Sequence, residues 1–190
     1  MRIVFFDLAT RSGWAAGDDG GVEDFGDFEM PRTGMQVGEY LCVAERHIDQ
    51  VVCRFRPDMV AFEAPFLNRR TDTILKLRKL GGLANIAEMI AFRRGREWGH
   101  ASGLDCREAM VDDVRRHFLG REYPRTRQQA KIATKVRCRD LGWDVDNDDE
   151  ADALAGLSYM HAIMDPARAL DVAPLFRWKP KPRSRKRRPT

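Results

Sequence analysis

The chain has 190 residues, of which 43% are hydrophobic and 33% charged, with 15 glycines and nine prolines. This is the composition of an ordinary globular protein of one domain, and it excludes a chain disordered throughout or a collagen-like repeat. At this length a domain buries roughly 70% of its unfolded surface, so the core needs neither disulfides nor a structural metal.

The cysteines and the apolar segments bear on the cell compartment. The four cysteines form no CxxC pair and no zinc-ligand spacing, which predicts buried thiols in a reducing compartment. The apolar run 3–6 ends at Asp7 and is far shorter than the apolar core of a signal peptide. The most apolar later stretch, 153–164, is shorter than the ~20 residues of a membrane span. The sequence therefore predicts a cytoplasmic protein.

The net charge of +4 is unevenly distributed along the chain. Residues 177–190 contain eight Lys and Arg and no acidic residue; without them, 25 basic residues remain against 29 acidic ones, a net charge of −4. Three prolines and no apolar periodicity predict a disordered basic tail after a domain of residues 1–176. The tail is either a solubilising terminus or, as we expect from its clustered cations, an arm that binds nucleic-acid phosphates.

The first third of the chain predicts a sheet with one covering helix. Strands are predicted at 2–8, 13–16, 22–28 and 58–63. The first is apolar except at its ends, as in a buried strand, and a DDGG turn joins the second to the third. Between the third and the fourth, apolar residues recur every three to four positions over 37–55, which predicts an amphipathic helix.

The rest of the chain predicts mainly helices. Helices are predicted at 73–92, 105–118, 127–141 and 150–164, with a weak strand at 98–101. Gly81 and Gly82 are expected to interrupt the first of these helices. The sequence shows neither an internal repeat nor a second domain. This alternation of strands and helices predicts an α/β fold with a mixed sheet.

Four carboxylates stand out by their positions in these elements. Asp7 ends the first predicted strand and Glu63 the fourth, so the two meet if those strands are neighbours. Asp149 and Asp152 are three residues apart at the start of the last helix, and they therefore project from one face. Taken singly, an acidic residue at a strand end is more often a solvated turn former. The convergence of three elements favours a site.

The acidic run 146–150 also has a local explanation. Asp148 or Asp149 could cap the helix, and acidic residues in a first turn interact favourably with the helix dipole. That explanation does not cover Asp152, which precedes small and apolar residues suited to packing on a sheet. A carboxylate on the buried side of a helix is costly unless it is paired or binds a metal. Two Mg²⁺ ions would neutralise four converging carboxylates and build a site for in-line displacement at phosphorus.

Three motifs around these carboxylates resemble a known family. FFDLATRSGWA, VAFEAPF and DDEADALA look like the three acidic motifs of RuvC-type Holliday junction resolvases, members of the ribonuclease H-like superfamily. APFLNRRTDTILKLRKLGG resembles the family's junction-contacting loop and long helix, and VDDVRRHFLG with RQQAKIATKVRCRDLGW is similar to phage-borne RuvC-like nucleases. The resemblance spans residues 2 to about 163. It implies a ribonuclease H-like fold, in which helices flank a mixed five-stranded sheet.

The resemblance also implies residue roles. The metal ligands would be Asp7, Glu63, Asp149 and Asp152, and Lys131 would be a catalytic basic residue near the scissile phosphate. Phe66 matches an aromatic residue that stacks on unpaired bases, with a buried core phenylalanine as the alternative. Further DNA contacts are expected from Arg69, Arg70, Arg107 and Arg115. For Lys131, Arg107 and Arg115 the alternative is a solvated helix face.

The implied activity is that of a Mg²⁺-dependent endonuclease that resolves four-way or otherwise branched DNA by paired nicks. It would act as a homodimer in a bacterial or phage-infected cell, with two Mg²⁺ per site and Mn²⁺ as a substitute. One alternative is a non-catalytic branched-DNA-binding protein on the same fold, although such a protein gains nothing from clustered negative charge. Another, an actin-like or sugar-kinase-like ATPase, needs a duplicated architecture that 190 residues cannot hold.

Overall fold

Five strands form one mixed sheet. The structure is a computed structural model and describes residues 1–19, 21–32, 34, 36–65, 73–121, 123–124 and 126–166. The strands are β1 (Ile3–Asp7), β2 (Arg11–Asp18), β3 (Gly21–Glu29), β4 (Met59–Glu63) and β5 (Asp105–Ala109). Their order is β3-β2-β1-β4-β5, in which β2 runs antiparallel to β1 and β3, whereas β4 and β5 run parallel to β1. The predicted mixed five-stranded sheet of an α/β fold is confirmed.

Helices cover both faces of this sheet. They are α1 (Val37–Phe55), α2 (Ile74–Glu97), α3 (Val111–Leu119), α4 (Arg127–Asp140) and α5 (Asp148–Met164). Because successive side chains of a strand point to opposite faces, Val4 and Phe6 of β1 join the core under α1 and α2. Ile3 and Phe5 join the core under α3, α4 and α5. None of the helices in the described ranges is long and apolar enough to cross a bilayer.

The long helix α2 departs from its prediction. It runs through Gly81 and Gly82 without a break and continues to Glu97, so the predicted interruption is wrong. A Cβ at position 82 would lie 2.6 Å from Cδ2 of Leu41 on α1. The glycine therefore serves the close approach of two helices, and packing outweighs its low helix propensity.

The segment after α2 differs most from the sequence-based prediction. Residues 98–101 belong to the turn that ends α2 rather than to a strand, and the helix predicted over 105–118 divides into β5 and α3. The sequence of β5 is DCREA, in which only Ala109 is buried. Since β5 lies at the edge of the sheet, it lacks the apolar run by which a central strand is recognised.

The cysteines are only partly as predicted. All four are free thiols, and Cys138 is buried in the core under α5. Cys42 and Cys53 are exposed on α1, so the prediction of buried thiols is wrong for these two. They are three helical turns apart and share one outward-facing stripe of an amphipathic helix.

Small residues seat α5 on the sheet. The helix begins at Asp148, two residues before its predicted start. A Cβ on Gly156 would lie 2.1 Å from the ring of Phe5, and a Cβ on Gly13 would lie 1.9 Å from the carbonyl oxygen of Asp149. Both contacts need a residue without a side chain. The start of α5 therefore lies directly on β2 at Gly13, the residue that pairs with Asp7 at the carboxyl end of β1.

Candidate active site

Asp7 and Glu63 end neighbouring strands at one edge of the sheet. β1 and β4 pair in parallel, and each strand finishes in its carboxylate. Asp7 lies two residues after Phe5, and Glu63 two residues after Ala61; Phe5 and Ala61 both face the α5 layer. Both carboxylates are therefore directed to the face that α5 covers. The two strands are neighbours, which is the condition under which the sequence predicts that these residues meet.

The start of α5 supplies two further carboxylates. Asn147 is the N-cap, and its Oδ1 accepts hydrogen bonds from the backbone N–H groups of Asp149 at 3.0 Å and Glu150 at 2.9 Å. The cap is therefore neither Asp148 nor Asp149, the two candidates from the sequence. Because an asparagine caps the helix, the Asp149 carboxylate is not used in capping. It shares one helix face with Asp152.

Burial and neighbouring negative charge oppose the ionisation of Asp7, Glu63 and Asp152. Burial, followed by the charges of Glu63, Asp152 and Asp149, raises the pKa of Asp7 well above its usual value. Burial and the charge of Asp152 raise the pKa of Glu63 to about 7. Burial also raises the pKa of Asp152, against the opposing charge of Lys131. The structure thus brings the four predicted residues into one buried cluster of like charge.

Lys131 of α4 reaches into this cluster. Its Nζ lies 3.5 Å from Asp152 Oδ2, 3.6 Å from Asp149 Oδ1 and 3.9 Å from Asp148 Oδ2. Only 18% of its side chain is exposed. Burial lowers the pKa of Lys131, but the surrounding carboxylates raise it by more, so the ammonium group stays charged. The predicted basic residue and the predicted carboxylates therefore lie together.

Two arginines add positive charge beside the cluster. The charges of Arg115 on α3 and Arg127 on α4 both lower the pKa of Glu63 against its burial. Arg115 is one of the residues that the sequence predicts to contact DNA. Arg127 was missed, although it lies one helical turn before Lys131, and this i,i+4 spacing is the signal that could have found it.

Other predicted DNA contacts are not brought to the cluster or are not described. Arg107 lies on the edge strand β5, where its Nε is 2.9 Å from Asp105 Oδ2, and it contacts none of the four carboxylates in the described structure. The expected helix face at Arg107 is therefore wrong. The remaining predicted contacts lie outside the described residues; they are Phe66, Arg69 and Arg70. The predicted basic tail at 177–190 lies outside them as well.

A basic residue on the side of Asp149 opposite Lys131 was not predicted from the sequence. Arg11 is the first residue of β2, and its Nε lies 4.0 Å from Asp149 Oδ2. Its side chain is half-exposed. Position was the available signal, because Arg11 follows Asp7 by four residues in the tight connection between two strands. The predicted second strand began only at residue 13, so Arg11 was left without a place beside the site.

The cluster fits a hard divalent cation in its donor chemistry. Mg²⁺ takes oxygen ligands, and Asp7, Glu63, Asp149 and Asp152 supply four carboxylates of low exposure. In the parts of the chain that the structure describes, no three Asp, Glu, His or Cys side chains are arranged as a formed metal site. Lys131 Nζ lies within 3.6 Å of both Asp149 and Asp152. Metal binding is therefore a proposal that rests on donor chemistry and on the excess of buried negative charge.

Comparison with solved structures identifies the fold. The chain is similar to Thermus thermophilus RuvC, with a TM-score of 0.63 and 18% identity over 89% of this chain and 98% of that one. It is equally similar to T. thermophilus RuvC in complex with a Holliday junction substrate, with a TM-score of 0.63 and 17% identity over 89% and 97% of the two chains.

A third likeness is to the yeast mitochondrial Holliday junction resolvase Ydc2, with a TM-score of 0.56 and 11% identity over 87% and 81% of the two chains. Comparisons with family models and with the sequences of curated proteins gave no match. The structural likenesses show that the chain has the ribonuclease H-like fold of RuvC, which the resemblance in its sequence implies.

Proposed function

We propose that this protein is a metal-dependent endonuclease that resolves four-way DNA junctions by paired nicks. The observation that carries the proposal is the buried cluster of Asp7, Glu63, Asp149 and Asp152 on the fold of RuvC. Among the similar structures, one is of RuvC in complex with a Holliday junction substrate and another is of a mitochondrial Holliday junction resolvase. Because fold alone does not fix activity, the proposal depends on the site residues.

The cluster is suited to catalysis and ill suited to binding alone. Four carboxylates repel a phosphodiester unless cations lie between, so a protein that only bound DNA would be weakened by them. Mg²⁺ ions held by these carboxylates would supply Lewis-acid stabilisation of the charge that develops on the phosphate. Lys131, held within 3.6 Å of Asp149 and Asp152, would bind a phosphate oxygen beside them.

A shallow surface beside the cluster is suited to the DNA backbone. A depression of about 500 Å³ is lined by Arg127, Gln128, Lys131, Ile132 and Asp148. Arg127 and Lys131 of α4, together with Arg115 of α3, place positive charge beside the carboxylates. Cations at the margin attract phosphates, and the carboxylates at the centre exclude them without metal, so this arrangement makes DNA cleavage depend on the metal.

Exposed apolar side chains near the two ends of α2 support the proposed homodimer. Ile74 and Phe92 are five helical turns apart and lie on one face of α2, with exposed fractions of 77% and 58%. Met89, one turn before Phe92, is 44% exposed. Large apolar side chains exposed on an outward face are typical of a protein interface. A second copy, related by two-fold symmetry, would pair two sites for two nicks on a nearly symmetric junction.

The proposal is tested with a labelled four-way junction and a linear duplex of the same arm sequence. We expect nicks in the junction, in pairs on opposing strands, when Mg²⁺ is present and none in excess chelator. The linear duplex should remain intact. Binding of the junction without cleavage in any divalent metal would favour the non-catalytic DNA-binding alternative, and equal cleavage of the duplex would contradict selectivity for branched DNA.

A further inference from the structure

Arg11 lies at the edge of the carboxylate cluster with its side chain fixed at one end. Its Nε donates a hydrogen bond to Asp27 Oδ2 on the neighbouring strand β3. The same nitrogen is 4.0 Å from Asp149 Oδ2, and 51% of the side chain is exposed. In the described structure no residue accepts a hydrogen bond from its two terminal nitrogens. The guanidinium group therefore has one anchored end and one end with free donors.

Asp27, in turn, is tied to the helix that carries the cluster. Its other oxygen, Oδ1, accepts a hydrogen bond from Asn147 Nδ2 at 2.9 Å, and Asn147 caps α5 through the N–H groups of Asp149 and Glu150. Only 16% of the Asp27 side chain is exposed. The hydrogen bond from Arg11 lowers the pKa of Asp27 and outweighs its burial, so the carboxylate stays charged. One charged group thus fixes both Arg11 and the cap of α5.

The two oxygens of Asp149 face two different cations. Lys131 Nζ is 3.6 Å from Oδ1, and Arg11 Nε is 4.0 Å from Oδ2. Because Asp27 holds the guanidinium group, Arg11 does not close on Asp149 at hydrogen-bond distance. An arginine presents its terminal N–H groups as a planar fork that matches two phosphate oxygens. A fork of this kind beside a carboxylate cluster is placed to receive a backbone phosphate.

We propose that Arg11 binds a DNA backbone phosphate next to the cleaved one, on the side of Asp149 opposite Lys131, and that Asp27 is its positioning residue. This inference rests on the proposed nuclease function and adds a contact to it. The competing explanation is that Arg11 and Asp27 only join β2 to β3. On that explanation, removing the ion pair would change stability little and would leave DNA affinity unchanged.

The chain offers a matched control in Arg54. This arginine is 60% exposed and its Nη2 donates to Asp24 Oδ2 at 2.6 Å, on the same strand as Asp27. In the described structure it contacts none of the four carboxylates. Arg11→Gln and Arg54→Gln therefore remove the same charge and the same type of ion pair, one beside the cluster and one away from it.

The test measures junction binding as a function of salt at a fixed Mg²⁺ concentration, and each protein, the wild-type reference included, carries Asp7→Asn so that the junction is bound but not cut. Each phosphate contact contributes about 0.9 to the slope of log K against log salt. We expect Arg11→Gln to flatten the slope by about 0.9, Arg11→Lys to retain most of it, and Arg54→Gln to leave it unchanged. Equal slopes for wild type and Arg11→Gln would overturn the inference. If the wild-type protein neither bound nor cut the junction, the proposed function itself would fail.

The role of Asp27 is tested by a double-mutant cycle. Asp27→Asn should flatten the salt slope by about 0.9, as Arg11→Gln does, because a released guanidinium group can close on Asp149 instead of binding a phosphate. Asp24→Asn is the matched control and should have no effect. If Asp27 acts through Arg11, Asp27→Asn adds no further loss to Arg11→Gln. Full additivity of the two losses would overturn the positioning role, and thermal melting of each variant confirms that it is folded.

Discussion

At the scale of single residues, burial and like charge act together on the carboxylates. Asp7 is 8% exposed at the end of a central strand, and Glu63 and Asp152 share its surroundings. A charge in such a place is unfavourable for folding unless something binds it. Lys131 balances one of the charges. Under the proposed function, stability is given up at this cluster for chemistry.

This cost gives a prediction for the metal-free protein. The pKa of Glu63 is about 7 in the folded protein, whereas its ordinary value is 4.5, so between these pH values the folded state binds more protons than the unfolded state. Stability from this group should fall as pH rises through that window, by at most ~3 kcal/mol. Glu63→Gln should remove the part of this pH-dependent loss of stability that Glu63 contributes.

The measurement is urea unfolding in chelator between pH 4.5 and 8. Burial lowers the pKa of His47, His117 and His161, which makes stability rise with pH over part of the same range. Because both proteins share these histidines, the difference between wild type and Glu63→Gln isolates Glu63 and its coupling to Asp7 and Asp152. A difference that does not change with pH would show that Glu63 is ionised at no cost in the folded protein.

At the scale of elements, the contact of α5 with the sheet sets the distance between the two pairs of carboxylates. Gly13 lies under the carbonyl group of Asp149, and Gly156 lies over the ring of Phe5. The helix cannot approach this closely with a methyl group at either position. Packing by glycine is thus part of how the site is built, although neither glycine takes part in the chemistry.

Gly13→Ala should disturb this contact. Its Cβ would lie 1.9 Å from the Asp149 carbonyl oxygen, so the start of α5 must shift. We expect a loss of roughly 1–3 kcal/mol in unfolding free energy and a loss of cleavage. Gly38→Ala on α1 is the control, because a Cβ there meets open space and should stabilise the helix by about 0.5–1 kcal/mol. Equal melting of the two variants would contradict the tight contact.

The elements that the sequence predicts well are those whose signal is local. β1 and β4 are apolar runs ending in a carboxylate, and the periodicity of α1 gives both of its ends. β5 was missed because an edge strand is recognised by its neighbour rather than by its own residues. Arg11 and Asp27 were missed for a similar reason, since their contact depends on the pairing of β2 with β3.

At the scale of the whole molecule, the face of α2 that points away from the sheet is expected to join two copies. Phe92→Glu places a charge among the exposed apolar side chains of this face, at a position that is 58% exposed and adds little to the monomer core. We expect the variant to sediment as a folded monomer and to make single nicks in the junction instead of paired ones. A wild-type protein that sediments as a monomer on the junction would contradict the dimer.

The basic tail is expected to add affinity without selectivity. If about four of the eight cations of residues 177–190 contact phosphates at a time, their deletion should flatten the log K against log salt slope by about 3 to 4 on duplex arms. The junction-to-duplex ratio should stay level or rise, and cleavage should persist because the proposed metal ligands lie at or before Asp152. Equal salt slopes for full-length and truncated protein would exclude a DNA-binding arm.

If the buried carboxylates perform cleavage, one pair of substitutions should separate them from the exposed acidic residues nearby. Asp7→Asn and Asp146→Asn remove the same charge, but Asp7 is buried in the cluster whereas Asp146 is exposed before the cap of α5. Both variants are measured for binding and nicking of a labelled four-way junction in saturating Mg²⁺. We expect Asp7→Asn to bind the junction at least as tightly as wild type without cutting it, and Asp146→Asn to cut normally. Cleavage by Asp7→Asn at the wild-type rate would contradict this expectation.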